Sequence, residues 1–590
     1  MKIEWMRLRG FRNFEDEVIN LANQTLIIGA NDVGKTNMIY ALRILFDRSL
    51  SDKDLELLDS DYNVYSKSDS IEITVKVTDV TEDCLLSTFK GDVQNGTVYI
   101  QYNNTKSGEY SISSGHSEET LDKKMSRFYI KRLHMEYVNT NRNLSTFMKR
   151  ERKQFLENAK ASLIDDQKEN DEKAIKELKK DLANLNEKVD DLNYIKSSLE
   201  SVNTELQELA IHNEEQTLLF KNANSDIISL LDNLELTYAT EDETLTLGGD
   251  GRNNQIFLAT WVAKQKSKKT LEKVTFFAIE EPEAHLHPHQ QRKLSNYLLE
   301  NFEEQIFITT HSPHIASEFR PDRIVKLYTR NKITKVARGG CNKISKLEFD
   351  DFGYRLDAIT ADVFFVNAVF LVEGPSEKLF YTALAKNMNI DLDRLNVSII
   401  SVNGVGFKPY IKICLALEIP FVFRTDNDIF NKSIKISDTE QIELSYHAGV
   451  SRIMGIYEEL LDTVDNKSLI EYWNKNKEYN EWNKGEEIPA KATQILNYIS
   501  KDAEKENIFL AYIDLENDLV ESELFDSLKS FYKTKTKKST VKKMQNAKAE
   551  NMLSFLSDRY ETLGCLKDDK IAAPLKLIQR LSEKMVRNNG

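Results

Sequence analysis

Eight residues, Gly29-Ala30-Asn31-Asp32-Val33-Gly34-Lys35-Thr36, stand between an apolar run from Gln24 to Ile28 and a helical run from Thr36 to Phe46. The pattern is G-x-x-x-x-G-K-[ST] in strand–loop–helix context. It constrains the fold because a buried strand opening straight into a helix N-terminus aims backbone N–H groups at one phosphate. The glycines let the loop wrap the phosphates, Lys35 reaches the β and γ oxygens, and Thr36 holds Mg²⁺. An α/β domain with an ATP site is predicted, with Gly29, Asn31, Gly34, Lys35, Thr36 and Asn37 at the nucleotide.

Two further apolar runs complete that expectation. Val274 to Ile279 ends in Glu280-Glu281-Pro282-Glu283-Ala284-His285-Leu286-His287-Pro288, and Gln305 to Thr310 is capped by His311-Ser312-Pro313. A carboxylate pair after a strand supplies one group to Mg²⁺ and one to a water. His311, closing the next strand, stands where it can sense the γ-phosphate. Leu247 to Gln255 (LGGDGRNNQ) is a Gly-rich loop before a helix, readable as a phosphate contact or as a plain turn.

The second half carries another kind of chemistry. Ala368 to Val372 leads into Glu373-Gly374-Pro375-Ser376-Glu377, and Pro420 to Phe423 leads into Arg424-Thr425-Asp426-Asn427-Asp428. Short β-branched runs bounded by Gly and Pro read as buried strands of a parallel sheet, whose ligands gather at the carboxyl ends. Carboxylates delivered to one sheet edge repel each other unless a hard cation neutralises them, so Glu373, Glu377, Asp426 and Asp428 predict a Mg²⁺ or Mn²⁺ site. Ile508 to Ile513 reads as a further strand, leading into Asp514-Leu515-Glu516-Asn517-Asp518, where Asp514, Glu516 and Asp518 are additional candidate ligands of equal standing.

A chain of 590 residues exceeds one core, so two or three domains are expected. The four cysteines, Cys84, Cys341, Cys414 and Cys565, lie far apart and form no Cys-x-x-Cys pair, which fits a reducing cytoplasm rather than disulfides or a zinc knuckle. No apolar run is long enough to cross a bilayer, and the first residues lack a signal-peptide core. The net charge of −14 excludes a wholly basic DNA-coating protein but not a local basic groove. Lys533, Lys535, Lys537, Lys538, Lys542 and Lys543 form such a run, readable as phosphate-backbone contacts or as a solvated face.

Between the first two ATPase strands, apolar residues recur at Ile175, Leu178, Leu182, Leu185, Val189, Leu192, Ile195, Leu199, Val202, Leu206 and Leu209. The steps alternate three and four, with an extra three at Leu192 to Ile195. That is a heptad seam with a stammer: a dimerisation arm or coiled-coil hairpin, or else one amphipathic helix on its own head. The segment from about 440 to 506, with Trp473 and Trp482, is expected to be a helical insertion.

The nucleotide motifs, with Leu8-Arg9-Gly10-Phe11-Arg12-Asn13-Phe14 near the start, resemble the ABC-type ATPase heads of the SMC, RecF and Rad50 group. That resemblance implies two heads sandwiching ATP, with Glu280 as the Walker B acid, Glu281 as the catalytic carboxylate and His311 as the switch histidine. Glu280 stands where that group usually has Asp, and the signature loop departs from its Ser-Gly-Gly pattern. The acidic motifs resemble the Toprim fold, with Glu373 as its glutamate and Asp426 and Asp428 as its Asp-x-Asp pair.

An ABC-type head followed by Toprim resembles the OLD (overcoming lysogenization defect) nucleases. GANDVGKTN, IEEPEAHLHP, ITTHSPHI, LVEGPSEK, RTDND and IDLENDL, in this order, resemble the Gabija-type anti-phage nucleases within that family. The resemblance implies ATP-regulated cleavage of DNA with two metal ions, Glu373 and Glu377 binding metal and orienting water, and Asp426 and Asp428 holding the second cation. It also implies a transition-state lysine, for which Lys548 is the nearest match, and a helicase-like partner subunit. The expected organisation is an ATPase domain over 1–345 with a helical insert at about 155–225, then a Toprim domain over 346–590. The seam and the shared ATP site predict a homodimer or higher even assembly. Competing readings are a Toprim topoisomerase, which needs a nucleophilic tyrosine, and an SMC-like DNA clamp whose acidic site is structural.

Overall fold

The computed structural model describes residues 1–106, 108–124, 126–209, 217–218, 220, 234, 237–239, 244–245, 248–267, 272–341, 360–404, 406–435 and 441–589. The chain divides into two compact units. One comprises Met1–Thr140, Thr270–Glu283 and His287–Gly590, and the other Asn141–Lys269 with Ala284–Leu286. The inserted unit is therefore wider than the expected 155–225. The expected boundary at 345/346, Leu247 of the Gly-rich loop, and residues 210–216 of the insert lie outside the described residues.

The first unit opens with β1 (Lys2–Phe11), β2 (Phe14–Asn20), β3 (Gln24–Ile28), β4 (Ser70–Thr78), β5 (Val98–Thr105), β6 (Ser111–Gly115), β7 (Asp122–Lys124) and β8 (Leu133–Val138). A two-stranded ribbon, β9 (Tyr238–Ala239) and β10 (Thr244–Leu245), belongs to the inserted unit. The first unit resumes with β11 (Val274–Glu280), β12 (Ile306–Thr309), β13 (Ile324–Arg330) and β14 (Ile333–Val336). The sheet order is β7-β6-β5-β4-β1-β2-β14-β13-β3-β12-β11-β8. Strands β13, β3, β12, β11 and β8 run parallel, so β3, β11 and β12 deliver their C-terminal ends to one edge. Their near-continuous burial is what a sheet covered on both faces requires.

A second sheet of the same unit has order β16-β15-β17-β21, all parallel, from β15 (Ala368–Val372), β16 (Val397–Ser401), β17 (Phe421–Thr425) and β21 (Ile508–Leu510). β15 and β17 are buried along their whole length, which explains the all-apolar Ala368-Val369-Phe370-Leu371-Val372. β21 stops three residues short of the expected Ile513. The helix Ala573–Asn589 lies against β13, β15 and β17, and the Tyr328 hydroxyl donates to Glu418 at 2.7 Å, so the two sheets share a seam.

The stretch expected as a helical insertion contains helices Ala448–Leu460, Lys467–Asn476 and Ala490–Ala503, but also strands. β18 (Ile429–Lys435), β19 (Gln441–His447) and β20 (Glu481–Asn483) form an antiparallel sheet, with Trp482 on its last strand. The reason is visible in β19: Ile442, Leu444 and Tyr446 alternate with polar neighbours at the strand period of two.

In the inserted unit nine of the eleven seam residues lie on three helices, Asp165–Asp190, Asn193–Ser197 and Glu200–Leu209, and Leu192 and Leu199 fall at the breaks between them. The first break falls at Asp191–Leu192, where the extra three-residue step begins. No residue of Asp165–Asp190 is buried, and Leu178 and Leu185 are more than half exposed. Elsewhere in this unit Phe147 packs on Phe257 at 4.6 Å between ring centroids, and Lys264 pairs with Glu151 at 2.6 Å. No helix among the described residues is long and apolar enough to cross a membrane.

Candidate active site

The phosphate-binding loop leaves β3 at Ile28 and enters the helix Lys35–Phe46 at Gly34. Gly34 holds φ +106, and a Cβ there would meet the Asn13 amide at 2.4 Å. That amide donates to the Val33 carbonyl at 2.8 Å and to Thr334 Oγ1 at 2.5 Å, and its oxygen accepts from Asn37 at 2.8 Å. Arg12 extends the brace, donating to Asn37 Oδ1 at 2.7 Å and to Asp61 at 2.8 Å while lying over the Tyr40 ring. Asn37, expected at the nucleotide, is thus a strut between Arg12 and Asn13. Asn31 and Thr36 are exposed.

Lys35 is buried, and its ammonium donates to the carbonyls of Gly29 at 3.0 Å and Ala30 at 2.7 Å. Burial pushes it down to about 8, against the pull of Glu281, Asp32, Glu283 and Glu280. Glu280 ends β11; burial raises its carboxyl, opposed by hydrogen bonds with Tyr137 and Thr36. Glu281, the next residue, holds φ +44 and pairs with His311 Nε2 at 3.3 Å. Burial and then Lys35 lower the His311 imidazole. Glu283, given no separate role by its motif, is raised by burial and accepts from Thr310 Oγ1 at 2.5 Å and from His311 N at 2.8 Å. So Lys35, Thr36, Glu280, Glu281 and His311 converge at one sheet edge, and Glu283 fixes the turn that carries His311.

In the second sheet, Glu373 follows β15 and Asp426 and Asp428 follow β17. Their carboxylate oxygens lie within 4.8 Å of one another. Glu373 Oε2 accepts from Thr425 Oγ1 at 3.1 Å, Asp426 N at 3.1 Å and Arg452 Nη1 at 3.0 Å. Burial and then Glu377 push Asp426 up to about 8, and burial also raises Asp428. Protons and cations compete for such carboxylates, so this trio fits a hard divalent ion that replaces the proton.

The other candidates are placed differently. Glu377 is the third residue of the helix Pro375–Asn387; it accepts from Gly374 N at 2.8 Å and from Arg424 Nη1 at 3.0 Å. Asp518 accepts from Arg424 Nη2 at 2.6 Å and from Tyr512 N at 3.2 Å. Asp514 caps the helix Leu515–Glu521 through Asn517 N at 2.8 Å, and its second oxygen accepts from Gln545 at 2.6 Å. Glu516 is buried and meets Lys548 Nζ at 3.0 Å; that ammonium is also 3.8 Å from Asp426 and from Asp514. Burial alone lowers Lys548, but Glu516 and Asp426 raise it further. The six lysines of the 533–543 run are all exposed, and Lys537 pairs with Glu521 at 2.7 Å.

Two arginines escaped the sequence reading. Arg452 stands on the helix Ala448–Leu460 and orients Glu373. Arg424 lies inside β17 at 3% exposure, which decides its nature: a charge so buried requires acidic partners. A charged residue directly after the apolar run Phe421-Val422-Phe423, before the strand ends at Thr425, was the available signal.

Residues 364–428 match the family described as overcoming lysogenization defect protein-like, TOPRIM domain, and residues 25–317 match the AAA domain, putative AbiEii toxin, Type IV TA system. Endonuclease GajA of Bacillus cereus (strain VD045) is 26% identical over 96% of this chain and 99% of its own. The OLD nuclease of Thermus scotoductus is 31% identical over 35% of this chain and 40% of its own. Among solved structures, an SMC head domain from Thermotoga maritima aligns with 57% of this chain and 98% of its own at 13% identity and a TM-score of 0.31.

Proposed function

The chain belongs to the OLD family, and on that premise we propose that it is a divalent-metal-dependent DNA endonuclease, governed by ATP at its own phosphate-binding loop and acting in anti-phage defence in the cytoplasm. The observation that carries this reading is the meeting of Glu373, Asp426 and Asp428 within 4.8 Å at a parallel sheet edge, with the Lys548 ammonium 3.8 Å from Asp426.

Glu373, Asp426 and Asp428 would hold the cation, which when bound supplies Lewis-acid polarisation of the phosphate and a more acidic water. Arg452, Thr425 and the Asp426 amide fix one Glu373 oxygen and leave the other directed by that geometry. Lys548, half-exposed, offers positive charge where a pentacoordinate phosphate accumulates negative charge. At the other site, Lys35 and Thr36 would hold the nucleotide and Glu280 its Mg²⁺, and Glu281 with His311 would position a water. The exposed loop and the half-exposed seam support a homodimer or higher even assembly, and a helicase-like partner subunit is part of the same reading.

The test is cleavage of plasmid and linear DNA with Mg²⁺ or Mn²⁺, with and without ATP, beside Glu373→Ala. Strand breaks that need metal and vanish in the variant support the nuclease, and the ATP lanes give the sign of the coupling. DNA binding and ATP turnover without breaks under either metal would replace it with a clamp. A covalent protein–DNA adduct would replace it with a topoisomerase.

A further inference from the structure

Resting on the metal-dependent nuclease reading, we propose that Arg424 is a built-in cation standing in for a second divalent ion. The acidic site then holds one ion, at Glu373, Asp426 and Asp428, and Glu377 and Asp518 ligate none. Arg424 is a positioning residue in this scheme, acting through the carboxylates it holds.

Arg424 Nη1 meets Glu377 Oε1 at 3.0 Å and Asp426 Oδ1 at 3.4 Å, and Nη2 meets Asp518 Oδ2 at 2.6 Å. A guanidinium does not deprotonate in proteins, and its planar donors fit carboxylates in pairs. Unlike a bound ion, it is tethered to a strand buried on all five residues. A dication bridging Glu377 and Asp426 would sit within hydrogen-bonding distance of that positive plane, and like charges repel there with little water to screen them.

The remaining acids are also committed. Glu377 accepts from Gly374 N at 2.8 Å, Asp518 from Tyr512 N at 3.2 Å, Asp514 from Asn517 N at 2.8 Å and from Gln545 at 2.6 Å, and Glu516 meets Lys548 at 3.0 Å. What is left for an ion is the trio whose oxygens converge within 4.8 Å. Asp426 is the shared member, with Oδ1 toward Arg424 and Oδ2 3.8 Å from Lys548.

The experiment counts Mn²⁺ on the nucleotide-free full chain from the electron paramagnetic resonance signal of the free ion. The acidic site's share is the Mn²⁺ lost in the Glu373→Gln/Asp426→Asn double variant. That share is expected to be one ion in the parent. Glu377→Gln and Asp518→Asn should keep it, with affinity within about threefold, whereas Asp428→Asn should weaken it by about tenfold or more. Arg424→Ser, verified as folded by its thermal transition, should raise the share to two. Two ions in the parent, a tenfold loss in Glu377→Gln, or a folded Arg424→Ser that stays at one would overturn the proposal. If Arg424→Ser does not fold, the Glu377→Gln result decides alone. No Mn²⁺ at the acidic site of the parent would overturn the nuclease reading as well, whereas two would overturn only this inference.

Discussion

Around the phosphate-binding loop a single lysine, Lys35, faces Glu280, Glu281 and Glu283, and its ammonium rests on the carbonyls of Gly29 and Ala30. Around β15 and β17, Glu373, Glu377, Asp426, Asp428, Asp514, Glu516 and Asp518 gather about Arg424, Lys548 and Arg452. Under the proposed function both regions serve phosphate chemistry. The first recognises a phosphate largely with its own backbone, so its wrapping loop, Gly29 to Thr36, is contiguous in sequence, and Glu280, Glu281 and His311 join it from two other strands of the sheet. The second recognises a phosphate through a cation, so it collects acids from distant strands and must hold them together before the cation arrives. Its internal cations do that work. A backbone site should therefore tolerate the loss of one side chain better than a site made of mutually repelling acids.

The largest expected effect lies in the acidic region. Arg424→Ala leaves Glu377, Asp426 and Asp518 buried without their counter-ion, which should cost about 3–5 kcal/mol. Chemical denaturation should show it, and a midpoint equal to the parent's would break the comparison. Next, Lys548→Ala should lower the cleavage rate by about 10²–10³-fold with DNA binding retained, measured as single-turnover nicking. At the nucleotide region, Lys35→Ala removes charged hydrogen bonds worth about 1.5–3 kcal/mol and should weaken ATP binding accordingly, read by calorimetry. Cleavage by that variant should also lose its dependence on ATP; unchanged dependence would separate the two regions altogether. The smallest effect belongs to Asn13→Ala, which frees the Val33 carbonyl and Asn37 from one partner. It should cost about 1 kcal/mol of stability. A loss as large as that of Arg424→Ala would show that the loop is no more tolerant than the acidic site.

The contrast also explains what was legible in the sequence. Gly29 to Thr36 announces itself because every contributing residue sits in one loop. The strand ends bearing Glu373, Asp426 and Asp428 were legible too, since the short apolar runs Ala368–Val372 and Pro420–Phe423 leave little choice but buried parallel strands. Spacing could not tell which acids converge. Glu377 lies four residues from Glu373, yet its place in the first turn of a helix binds it to Gly374 N and turns it to Arg424. Asp514, Glu516 and Asp518 are candidate ligands of equal standing in the sequence, and the structure sets Asp514 as the cap of the helix Leu515–Glu521. The strand Gln441–His447 was missed because its neighbouring helices dominated the composition. The continuous seam was overextended because a three-four spacing persists across a break in the helix at Asp191–Leu192.

Glu281 holds φ +44 in the turn that follows β11. Glycine would adopt that backbone freely, whereas a glutamate there costs about 1 kcal/mol or more. Left to drift under pressure for stability alone, the position should move toward glycine or asparagine. The acid at this turn gives up a little stability to set a carboxylate 3.3 Å from the His311 ring, so the fold is slightly weaker there than the same backbone could be.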